Sequence, residues 1–69
     1  MKKDEANYLL GKRCLLAHKH WYKGAVEAEI KEVSPSGDYI RLLKENDLNA
    51  SWETASDWEV VEVLPKIDT

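Results

Sequence analysis

The chain has little of what would staple or anchor a small protein. A single cysteine, Cys14, stands among 69 residues, so no disulfide can close within the chain, and a lone thiol suits a reducing compartment. No apolar run approaches the ~18–20 residues that span a bilayer, and no membrane partner is expected. The opening KKDEAN has no apolar stretch, so the expectation is a cytoplasmic protein without a signal peptide. Phenylalanine is missing, and the large aromatics are three tryptophans and three tyrosines. Those rings carry a polar atom and favour half-buried positions and interfaces. Positive charge is in the minority, with 10 Lys and Arg against 13 Asp and Glu, net −3. A general nucleic-acid binder gathers a basic excess on one face. Nucleic acid is therefore a disfavoured partner, although Lys2, Lys3, Lys12, Arg13, Lys19 and Lys23 crowd the first third. A domain of this size buries only about 60% of its unfolded surface. That leaves little room for a catalytic cleft, and it makes a homo-oligomer one route to added stability.

What is present reads as strands. Residues 1–9 form an N-terminal arm or a short helical turn, with Asp4 as its N-cap and Gly11 as the residue that stops it. Lys12 to Ala17 (KRCLLA) is a strand, followed by the aromatic loop His18 to Gly24 (HKHWYKG). Ala25 to Val33 is the clearest strand. Val26, Ala28 and Ile30 face one way and Glu27, Glu29 and Lys31 the other, the period of two that gives a strand one wet face. The apolar phase slips at Glu32-Val33, where a β-bulge or bend would restore it. Ser34 to Asp38 (SPSGD) is a tight turn. Tyr39 to Leu43 resumes the alternation with Ile40 and Leu42 inward. Ser51 to Glu53 is a short strand, Thr54 to Trp58 a single 3₁₀ turn, and Glu59 to Leu64 a last strand stopped by Pro65. Residues 66–69 are a tail. Five short strands over residues 10–65 are expected to close into an all-β barrel, because closure removes exposed edges.

With these elements in place, a resemblance can be stated. GKR-C-LLA, WYKGAV, SPSGDYIRL and W-E-x-ASDWEVVEVLP resemble the SH3-like barrels of the Tudor-like type, including small prokaryotic and phage versions. The resemblance runs from about Leu10 to Pro65. It implies a five-stranded barrel with a 3₁₀ turn before the last strand. It is weak for function, because such barrels host unrelated roles. In Tudor domains that read methylated Lys or Arg, loop and strand aromatics cage the cation beside an acidic residue. By position, Trp21, Tyr22, Tyr39 and Trp52 would supply the rings here, and Asp38 or Glu53 the acid. The competing reading makes Trp21 and Trp52 packing residues of the barrel.

Other groupings point to chemistry less well. Cys14, His18 and His20 have the even spacing of one strand face. A structural zinc site wants four ligands, and the two histidines fall in the expected loop, so the bland reading is a buried thiol and two wet imidazoles. No metal or cofactor is expected. Glu53, Asp57, Glu59 and Glu62 lack a partner nucleophile and read as solvated carboxylates. The functional expectation is a non-catalytic module that binds a protein or peptide through an aromatic and acidic surface. The alternatives are a nucleic-acid module, carried by Lys12, Arg13, Lys19, Tyr22 and Lys23 beside Trp21, and a self-assembling structural part.

Overall fold

Alternation along the chain becomes one antiparallel sheet in the computed structural model, which describes residues 1–20 and 24–65. Helix α1 (Lys3–Tyr8) precedes strands β1 (Arg13–His18), β2 (Val26–Val33), β3 (Tyr39–Lys44) and β4 (Ser51–Thr54). A 3₁₀ turn, Ala55–Asp57, leads into β5 (Trp58–Val63). The strand order is β4-β3-β2-β1-β5. The protein is thus all-β with one short helix, and among the described residues no helix is long and apolar enough to cross a membrane.

The sheet is open rather than closed by strand pairing. β4 and β5 are its two edges. At their join the backbone is satisfied in another way. Met1 N donates to the carbonyls of Ala55 (2.9 Å) and Trp58 (2.7 Å), and Ala55 N donates to Asp38 O (2.9 Å). The 3₁₀ turn is therefore tied to the β2–β3 turn and to the first residue of the chain.

The inward faces make the core. Ala28, Ile30, Ile40 and Leu42 are fully buried with Cys14, Leu16, Ala55 and Trp58, and α1 adds Ala6 and Leu9. Each large aliphatic side chain removed from water contributes about 1.5–3 kcal/mol. Val26, expected inward with these, is only partly buried.

Two register shifts bend the sheet. Between β2 and β3, Ile30 faces Leu42 and Glu32 faces Arg41, so Lys31 is the extra residue. The slip read at Glu32-Val33 thus sits one residue earlier. Restored phase turns Val33 toward Ile40 and moves Glu32 onto the outer face. A second shift lies between β1 and β5, where Leu15 faces Glu62 and Leu16 faces Val60, leaving Val61 as the extra residue.

Three local expectations are corrected. Asp4 lies inside the first turn of α1 and does not cap it; the N-cap is Lys2, without a side-chain cap bond. Asp4 and Glu5 there still complement the positive end of the helix. His18 is not in a loop: it ends β1, and its ring packs edge-on against Trp58 at 4.9 Å and 81°. The tryptophan that fills the core is Trp58, fully buried, whereas Trp52 is half exposed.

The Ser34–Asp38 turn is built by its own side chains. Ser34 N donates to Tyr39 O (2.9 Å) and Gly37 N to Ser34 O (2.9 Å). Ser34 Oγ accepts from Tyr39 N (3.1 Å) and Ser36 Oγ from Asp38 N (3.2 Å). Gly37 has φ +81°, and a Cβ there would collide with the stem of Lys3. Glycine at this position is what lets α1 press onto the turn.

Candidate functional site

The period of two decides which candidates meet. Tyr39 pairs with Thr54 and Arg41 with Trp52, so Tyr39, Arg41, Trp52 and Thr54 share the outer face of β3 and β4. Tyr39 and Trp52 are 52% and 51% exposed. Each of the two neighbouring strands thus presents a large half-wet ring on the same face. The two rings line a cleft of about 390 Å³ with Glu32, Val33, Ser34 and Pro35. That volume lies at the small end of ligand sites, roughly 300–1,000 Å³.

Glu32 is the acid of this cleft, and its place follows from the bulge at Lys31. It faces Arg41 across the strand pair and accepts a hydrogen bond from Arg41 Nη1 at 3.0 Å. Its side chain is 56% exposed. An exposed pair of this kind contributes about 0–1 kcal/mol, so a ligand cation can compete for the carboxylate.

The acids read from sequence lie elsewhere. Glu53 follows Trp52 on β4 and therefore points to the opposite face, where it faces buried Ile40. Its Oε2 accepts from Lys44 Nζ (3.1 Å) and Ser51 Oγ (2.9 Å). Partial burial opposes its charge, yet hydrogen bonds from Lys44, Ser51 and Trp58 and the charge of Lys44 outweigh burial and hold the carboxyl below the usual glutamate range. Asp38 lines a second depression on the other side of Tyr39, with Lys2, Lys3, Ser36, Thr54 and Ser56. Trp21 and Tyr22 lie outside the described residues.

The remaining groupings take structural positions. Cys14 is fully buried, and burial pushes its thiol up. His20 N donates to His18 Nδ1 (3.1 Å), and Asp57 lies between the two rings, 3.9 Å from His18 Nε2 and 4.0 Å from His20 Nε2. Among the described residues no three His, Cys, Asp or Glu side chains are arranged to hold a metal ion. Glu59 and Glu62 are exposed. On the charged face of β2, Arg13 pairs with Glu27 and Lys31 with Glu29. Lys12 Nζ lies 5.4 Å from the centre of the Tyr8 ring.

Glu32, Val33 and Pro35 were not singled out from the sequence. The only signal for Glu32 was the slipped phase beside it, which shows that the strand bends there without showing to which face the glutamate turns. Set against models of protein families, curated proteins and solved structures, the chain matches none of them.

Proposed function

We propose that this chain is a non-catalytic, cytoplasmic binding module of SH3-like, Tudor-like build. It captures a protein or peptide by seating a cationic side chain, lysine or methylated lysine, between Tyr39 and Trp52 beside Glu32. The observation that carries the reading is the pair of half-exposed rings on one face with a carboxylate at the same cleft. The SH3-like part is supported by the strand order, in which β1 to β4 pair consecutively and β5 returns to β1. The reducing compartment is supported by a lone, buried thiol at Cys14.

A cation over an aromatic face gains about 0.5–2 kcal/mol per ring. Two rings and one carboxylate supply about 1–5 kcal/mol, which sets an affinity on the order of 1 mM or weaker for a single side chain, with peptide backbone contacts adding to it. The test is fluorescence anisotropy with a labelled peptide carrying trimethyl-lysine and its alanine counterpart. Binding of the first, lost in Trp52→Ala and in Tyr39→Ala, supports the reading. Equal binding of the alanine peptide, or full binding by both variants, overturns it. Retardation of an oligonucleotide at low salt would instead favour nucleic acid. Against that alternative, Arg13 is already paired with Glu27 and Lys12 with the Tyr8 ring.

A further inference from the structure

The depression on the far side of Tyr39 differs from the cleft in chemistry. Lys2 and Lys3 rim it with the hydroxyls of Ser36, Thr54 and Ser56, and its volume is about 460 Å³. Two cations face one carboxylate there, Asp38, in a molecule whose net charge is −3. The stem of Lys3 and the backbone of α1 are held in place by packing. The stem of Lys3 lies on Gly37 so closely that no Cβ fits there. Ala6 and Leu9 anchor α1 in the core, and Met1 is bonded to Ala55 and Trp58. Tyr39 lines both hollows, so they adjoin at that ring.

We infer that this depression is an anion subsite for the same peptide, taking a phosphorylated serine or threonine close in sequence to the cation seated in the cleft. The inference rests on the reading of the Tyr39–Trp52 cleft given above. A phosphate brings about two negative charges at neutral pH and three strong acceptor oxygens. Two ammonium groups and neighbouring hydroxyls meet those oxygens with charge-assisted hydrogen bonds. Two lysines against Asp38 leave one net positive charge, which attracts a doubly charged phosphate more than a singly charged carboxylate.

Two labelled trimethyl-lysine peptides, one with serine and one with phosphoserine three residues away, are compared by anisotropy on the wild type, a Lys2→Met/Lys3→Met double variant and Asp38→Asn. Methionine keeps the stem that packs on Gly37 and removes the charge. The expected result is about tenfold tighter binding of the phosphopeptide to the wild type. That gain is lost in the double variant and enlarged in Asp38→Asn, while the serine peptide binds all three proteins alike. Binding of both peptides with equal affinity, or a gain that survives the double variant, overturns this inference and leaves the cleft standing. Inorganic phosphate, followed by amide shifts at Lys2, Lys3 and Gly37, separates the sources. Shifts where neither peptide binds keep the anion subsite and overturn the cleft. No shift and no peptide binding overturns both.

Discussion

Trp52 and Glu53 are neighbours in the chain and lie on opposite faces of β4. Trp52 is half exposed at the cleft, while Glu53 is bonded to Lys44 and Ser51 on the inner side. On the proposed reading one residue serves binding and the next stability, and substitutions at the two should separate those properties.

Trp52→Ala and Tyr39→Ala should each weaken capture of a trimethyl-lysine peptide by about twofold to thirtyfold, the value of one ring. Each should cost about 1–2 kcal/mol in a denaturant titration, because the side chains are only half buried, on the outer face of the sheet. Trp58→Ala is the contrasting variant. Its fully buried ring should cost about 3–5 kcal/mol, enough to unfold most molecules of a domain this small.

Glu32→Gln keeps the shape of the cleft and removes its charge. Peptide affinity should fall severalfold and lose most of its dependence on salt, since screening acts on the charged pair alone. Thermal stability should stay within about 1 kcal/mol of the wild type, the value of an exposed pair with Arg41.

The Lys44–Glu53 contact predicts acid behaviour. Glu53 is held below the usual range, so as pH falls the unfolded chain binds this proton before the folded one does. The stabilisation is fully present above the ordinary glutamate value of about 4.3. It is lost as pH drops through the lower, folded value. Lys44→Met removes the partner. It should cost about 1–3 kcal/mol at neutral pH and move the acid-unfolding midpoint to higher pH, as read by circular dichroism against pH.

Gly37 and Gly24 share a left-handed φ of +81°, but among the described residues only Gly37 of the two has a neighbour against which a Cβ would press. Alanine at Gly24 should cost the backbone strain alone, about 1–2 kcal/mol. Alanine at Gly37 should cost more and should shift the amide signals of α1, because Lys3 must move.

Burial at Cys14 predicts slow chemistry. The thiol is fully buried and pushed above its ordinary range, which lowers both access and thiolate fraction. Maleimide labelling should be negligible in the native state and should follow the unfolding transition as denaturant is raised.

Much of the fold is legible in the chain because alternation is a local property. Val26 to Ile30 and Ile40 to Leu42 announce their inner faces, and the SPSGD turn announces the hairpin. The bulge is legible only to within a residue. Between the inward Ile30 and the inward Val33 stand two charged residues, Lys31 and Glu32, and either could be the extra one. Its exact place decides the site, since it is the slip at Lys31 that carries Glu32 to the cleft. The three tryptophans were not separable by sequence, because burial of Trp58 depends on β5 returning beside β1. The same long-range contact turns His18 from a loop residue into a strand end packed on that ring. For Tyr39 and Trp52 the sequence offers the residue types, and the register supplies the shared face.

The most direct test is an amide and indole shift titration of the ¹⁵N-labelled protein with a trimethyl-lysine peptide. The account predicts that the Trp52 indole signal and the amides of Glu32, Val33, Tyr39 and Trp52 move together with one saturation curve, while the Trp58 indole stays fixed. No movement at millimolar peptide, or movement elsewhere with the Trp52 indole unchanged, would contradict it.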